Sequence, residues 1–89
     1  MRSSRLIEIQ LLGGAKKAIG LEKIILNKEF DTVRNILEFL KGKSMIPHVL
    51  NKNNIMISIN GIDSNVYDGQ ETVVKSGDLV VVVTIVHGG

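Results

Sequence analysis

The chain has 89 residues, 44% hydrophobic and 22% charged, with a formal net charge of +2 and no cysteine. A chain of this length makes one domain that buries roughly 60–65% of its unfolded surface, so a carrier, a binding module or a subunit fits it better than an enzyme with a deep cleft. The absence of cysteine excludes a disulfide framework, a thiolate zinc site and a cysteine nucleophile.

The eight lysines and three arginines are dispersed, and aromatic residues are 3% of the chain. Nucleic-acid binders concentrate their charge and offer stacking platforms, so no direct nucleic-acid partner is expected. The longest apolar run, Leu79 to Val83, is too short to span a membrane. Met1 to Arg5 has charge without the apolar stretch of a signal peptide. The expected setting is cytoplasmic, with no membrane partner.

Arg5 to Leu12 alternates, with Ile7, Ile9 and Leu11 on one side and Glu8 and Gln10 on the other, as a strand with one buried face does. Gly13-Gly14-Ala15-Lys16-Lys17 breaks that pattern and reads as a flexible hairpin loop leading into a second strand, Leu21 to Asn27. Thr32 or Asp31 can cap a helix by accepting from a free N–H of its first turn. Val33, Ile36, Leu37 and Leu40 share one face of that helix. Lys41 suits its negative end, and Gly42 suits a left-handed cap.

Lys43 to Asn54 is irregular in pattern and holds Pro47. Ile55, Ile57 and Ile59 point inward from a third strand, and Met56 and Ser58 point outward. Asn60-Gly61 is a strong hairpin signal because both residues tolerate positive φ. A short strand over Ile62 to Tyr67, a turn at Ser76-Gly77-Asp78 and a strongly apolar strand from Leu79 to Val86 complete the pattern. That last strand suits a central position.

The order β-β-α-β-β-β offers one apolar helix face and one apolar sheet face, which must pack on each other. The expected class is α+β, a ubiquitin-like β-grasp with a mixed sheet of four to five strands packed on one helix. By fold-level analogy, its last strand runs parallel to its first in mid-sheet. Residues 1–86 form this domain, and residues 87–89 are a flexible His-Gly-Gly tail.

No catalytic set emerges. His48 and His87 lie in no metal-ligand spacing. The Gly13–Lys17 stretch lacks the spacing of a phosphate loop, and Asp63, Asp68, Glu71 and Asp78 read as solvated turn residues rather than a metal site. What remains is His87-Gly88-Gly89. Glycine is 9 of 89 residues, so two final glycines arise by chance about once in a hundred chains. A tail without Cβ atoms can thread a narrow channel, and three extended residues reach roughly 10 Å. A carboxylate becomes an acyl donor once adenylated by ATP, and this chain has no group to do that, so a partner enzyme must.

The whole chain resembles the ubiquitin-related modifier family and, more loosely, the sulfur carriers of molybdopterin and thiamine synthesis. The likeness rests on Leu11-Leu12-Gly13-Gly14-Ala15, on Thr32 to Lys41, on Ile55-Met56-Ile57-Ser58-Ile59-Asn60, and on Ser76-Gly77-Asp78-Leu79 with the closing Thr84-Ile85-Val86-His87-Gly88-Gly89. The final His-Gly-Gly is the most specific of these.

The resemblance implies a carrier or modifier that is not itself an enzyme. A ubiquitin-activating-type enzyme using ATP and magnesium would adenylate Gly89. A sulfur donor protein would convert it to a thiocarboxylate. The sulfur would pass on, for example, to a tRNA thiolation enzyme, or the activated terminus would join to lysines of target proteins. This chain would bind no cofactor. Asn53-Asn54 and Gly61-Ile62 stand where that family carries arginine-proline-glycine and tryptophan. The short Asn60-Gly61 turn is closer to the biosynthetic carriers, so the small subunit of molybdopterin synthase or a related enzyme stays as the alternative. A plain binding module is the third reading.

The polar Thr84 suggests which way the last strand faces, since polar groups avoid the core. On that parity Leu79, Val81, Val83 and Ile85 meet the helix, and Val80, Val82, Thr84 and Val86 form an outward face that docks the activating enzyme. Gly88 and His87 would be read along with the tail, His87 either through a specific contact or as an inert spacer. Lys16, Lys17 and Lys52 can accept conjugates, with nothing to select among them.

Overall fold

A computed structural model describes residues 5–44, 50–51 and 53–84. Among the described residues, seven strands and two α-helices are ordered β1 (Leu6–Gly13), α1 (Gly14–Ile19), β2 (Lys23–Asn27), β3 (Phe30–Thr32), α2 (Val33–Lys43), β4 (Ile55–Ile59), β5 (Ile62–Asp63), β6 (Val73–Lys75) and β7 (Leu79–Thr84). The main sheet has the strand order β2-β1-β7-β4-β5, and β3 and β6 form a small second sheet. β7 runs parallel to β1 and antiparallel to β4. The mixed five-stranded sheet on a helix is the expected β-grasp.

The core follows from two periodicities. Period-two alternation puts Ile7, Ile9 and Leu11 of β1 inward, each 0% exposed. Spacing at i, i+3, i+4 and i+7 puts Val33, Ile36, Leu37 and Leu40 of α2 against them. Ile57, Ile59, Val80 and Val82 complete the sheet's contribution, with Leu50 and Val74 closing the ends. Thr32 caps α2 as expected, its side chain accepting from the Asn35 N–H at 3.1 Å.

Asp31, one residue earlier, is buried and locks this junction. It accepts from Lys28 Nζ at 2.8 Å, Asn35 Nδ2 at 2.9 Å and the Thr32 N–H at 2.8 Å. Burial pushes the Asp31 carboxyl up. The Lys28 ammonium, the Asn35 amide and the Thr32 N–H together outweigh burial and hold it below its ordinary value of 3.8.

Several expectations are corrected. Gly14 to Ile19 is a short helix rather than a flexible loop, because Ala15 and Ala18 are small enough to be buried on its inner face. Gly20 ends it at φ 84°, its N–H reaching Lys16 O at 2.7 Å. β2 starts at Lys23, two residues later than read. Gly42 lies inside α2 rather than at a left-handed cap, and Ser44 caps that helix in an extended conformation. The strand read over Ile62 to Tyr67 is cut to Ile62–Asp63 because the Asp63 carboxylate accepts from the Asn65 N–H at 2.8 Å and turns the chain into a 3-10 helix at Ser64–Val66. The small β3–β6 sheet was not anticipated.

Candidate functional site: the end of β7 and the outer sheet face

The expected tail residues Val86, His87, Gly88 and Gly89 lie outside the described residues, as does Lys52. The structure describes the platform from which the chain reaches them. β7 is held on both sides to its last described residue, Thr84, which pairs with Gly13 of β1 and Ile55 of β4. Thr84 is buried, and its Oγ1 has no hydrogen-bond partner among the described residues.

Gly13 turns β1 into α1 at φ 58° and ψ −131°, a conformation that side chains disfavour. A Cβ there would lie 3.6 Å from the Thr84 carbonyl oxygen, which is ordinary contact. Backbone conformation rather than crowding therefore calls for glycine at this corner.

The expected docking face needs correction. Val80 and Val82 are each 0% exposed and Thr84 is 5% exposed. Their side chains belong to the face packed on α2, so they cannot dock a partner; Val86 is not described. Laterally paired residues of a sheet share a face, and Ile9 pairs with Val80 as Leu11 pairs with Val82. Once Ile9 and Leu11 are inward, Val80 and Val82 follow. Thr84 misled the reading because a threonine at the sheet's end is buried with its hydroxyl unpartnered.

The outward residues of β7 are Leu79, Val81 and Val83, all half-buried. Val83 pairs laterally with exposed Leu12 of β1 and exposed Met56 of β4, giving an apolar row across the sheet at its tail end. The next row is Gln10, Val81 and Ser58, and the one after holds Ile25, Glu8 and Leu79. Met56, Ser58, Glu8 and Gln10 face outward as the alternation requires. Met56 was expected outward; Leu12 and Val83 were the residues missed, although Leu12 directly follows Leu11 and shares the parity of Glu8 and Gln10.

Beside this row, Gln10, Leu11, Leu12, Lys16, Glu22 and Lys23 line a shallow groove of about 360 Å³, with Lys16 Nζ 3.2 Å from Glu22. Among the described residues, no three His, Asp or Glu side chains converge as metal ligands would. No helix among them is long and apolar enough to cross a membrane.

A comparison with protein families matches residues 9–89, the terminal glycines included, to the ThiS family. The chain belongs to the ThiS family. No curated protein sequence matches it.

Solved structures similar to this ThiS-family chain share its fold. The solution structure of Urm1 from Trypanosoma brucei superposes with a TM-score of 0.76 at 19% identity, covering 100% of both chains. The solution structure of small archaeal modifier protein 1 from Methanosarcina acetivorans gives 0.75 at 23% identity, covering 99% of this chain and 100% of the other. The complex of subunits 1 and 2 of molybdopterin-converting factor from Helicobacter pylori gives 0.62 at 19% identity, covering 94% and 99%.

Proposed function

We propose that this chain is a sulfur carrier and protein modifier whose working group is the Gly89 carboxylate, presented on a tail that leaves the central strand β7. The observation that carries the reading is the family match that runs through Gly89, together with the pairing of β7 on both sides up to Thr84. A strand held on two sides as far as Thr84 gives the chain a fixed point of departure for a partner that docks on the sheet.

In the proposed reaction, an oxygen of the Gly89 carboxylate attacks the α-phosphorus of ATP in the active site of a ubiquitin-activating-type enzyme. Pyrophosphate leaves, and the carboxylate becomes an acyl adenylate. The magnesium belongs to that enzyme. A persulfide sulfur from a donor protein then attacks the acyl carbon, and AMP departs. Cleavage of the sulfur–sulfur bond by a thiol leaves a thiocarboxylate on Gly89. Attack by a lysine amine on the activated terminus gives an isopeptide instead. The chain acts as substrate throughout and works in the cytoplasm. Transfer of the sulfur to a tRNA thiolation enzyme is one such outlet.

The docking surface proposed in place of the sequence reading is the apolar row Leu12, Val83 and Met56 with Val81 beside it. These residues are accessible, share one face and adjoin the departure of the tail. Val83→Lys should abolish adenylation by the cognate activating enzyme while leaving the far-ultraviolet circular dichroism unchanged. Full activation of that variant would remove the face from the proposal.

The alternative, a small subunit of molybdopterin synthase or a related enzyme, draws on the tight Asn60-Gly61 turn, with φ 53° and 88° at its two residues. Mass spectrometry of the C-terminal peptide, on protein purified under denaturing conditions from its native host, decides between them. Sulfur in place of oxygen at Gly89 together with lysine conjugates supports the carrier and modifier. Sulfur without conjugates, and a stable complex with one large subunit, supports the alternative. A plain carboxylate in the presence of the activating enzyme and ATP overturns both.

A further inference from the structure

β2 is the outer strand of the five-stranded sheet, and among the described residues no strand pairs with its far side. The direction of its backbone groups follows from one bond. The Leu11 N–H donates to Glu22 O at 2.8 Å, so in the alternating ladder Ile24 and Leu26 also turn their backbone groups toward β1. Lys23, Ile25 and Asn27 therefore turn theirs toward the open side, and all three are exposed. An open edge with an exposed isoleucine at its midpoint is a template for another strand.

The side chains along this edge match a second copy of themselves. About Ile25, the segment Glu22-Lys23-Ile24-Ile25-Leu26-Asn27-Lys28 sets Ile24 against Leu26, Lys23 against Asn27 and Glu22 against Lys28. Charged flanking residues usually keep an edge from pairing. Here antiparallel self-pairing puts neither lysine opposite a lysine, and each copy's Glu22, 3.2 Å from its own Lys16, lies opposite the other copy's Lys28, which also holds its own Asp31 at 2.8 Å.

We propose that two copies of this chain associate through β2, antiparallel, with Ile25 of each on the two-fold axis, to form one continuous sheet. Ile25 exchanges both backbone hydrogen bonds with the partner's Ile25, and Lys23 does so with the partner's Asn27. Partly buried Ile24 is covered on the inner side. The faces of the two sheets stay on the same sides. Each β7 lies two strands in from the axis, so the two β7 strands stand roughly 24 Å apart and run in opposite directions. Both outward apolar rows stay free. One strand edge is a small contact, so the expected dissociation constant is of the order of 100 µM.

The test is sedimentation equilibrium of the full chain from low micromolar to near-millimolar concentration, with the association weakening about tenfold in Glu22→Lys through loss of a cross-strand ion pair and its replacement by repulsion. Because the chain has no cysteine, single cysteines report register directly. Ile25→Cys puts two thiols within disulfide reach across the axis and should oxidise to a dimer. Lys23→Cys places them roughly 13 Å apart along the strands and should not. A monomer across the whole range, equal cross-linking of the two cysteine variants, or an unchanged constant in Glu22→Lys would each overturn the proposal. The edge would then be open to a strand from another protein.

Discussion

Removing two methyl groups from β7 at adjacent positions should have unequal consequences. Val82 is 0% exposed in the cluster formed with Ile9, Leu11 and Leu40, whereas Val83 is half-buried on the other face. Val82→Ala removes two buried carbon groups, at about 0.8 kcal/mol each, and leaves a cavity that raises the cost to roughly 2–3 kcal/mol. For a domain whose stability is on the order of 5–10 kcal/mol, that lowers the melting temperature by roughly 10–20 °C. Val83→Ala forfeits partial burial and some strand preference, under about 1 kcal/mol. Urea unfolding followed by circular dichroism measures both, with the slope against urea unchanged in each variant. Equal losses, or a larger loss at Val83, would refute the assignment of Val82 to the core and return the outward face to Val80, Val82 and Thr84.

Three further outcomes test the junctions of the fold. Thr32→Ala removes the acceptor for the Asn35 N–H and should cost about 1 kcal/mol, measured by the same unfolding assay. Asp31 has a lowered pKa in the folded chain, so its stabilisation is fully present above its unfolded pKa and is lost as pH falls through the folded value. Asp31→Asn should flatten the fall in stability below about pH 4, and an unchanged acid limb in unfolding curves would show that other carboxylates govern it. Gly13→Ala should destabilise by roughly 1–3 kcal/mol through backbone strain alone, with a shifted urea midpoint as the readout.

Most of the fold was legible because its signals are periodic and local. The alternation of Ile7, Ile9 and Leu11 and the spacing of Val33, Ile36, Leu37 and Leu40 each define a face without reference to the rest of the chain. What stayed hidden depends on partners distant in sequence. β3 and β6 are three residues each and become strands only because Asp31 pairs with Val74 across the domain. The run Leu79 to Val83 is apolar on both faces, so only its register against β1 shows which residues are buried. The helix α1 carries two glycine neighbours at its start, which read as a loop until burial of Ala15 and Ala18 is known. Of the candidate site, the terminal glycine pair is a sequence feature that lies outside the described residues, whereas the facing of Val83 is a tertiary feature that no local pattern reveals.

The placement of β7 bears on how the domain is made. Synthesis delivers β1 early and β7 after every other strand, yet Leu79 pairs with Glu8 in the middle of the sheet. A nascent chain that has emerged only through β6 holds the β1–β2 and β4–β5 hairpins with the strand that should join them missing. Two hairpins with open inner edges are marginal on their own, and closing the long loop between β1 and β7 must wait for the last strand. Folding is therefore deferred until β7 leaves the ribosome, and a product cut short before β7 exposes apolar edges that mark it for proteolysis. The last strand in sequence is also the strand that joins the two halves of the sheet, so a folded molecule is one whose synthesis has passed β7.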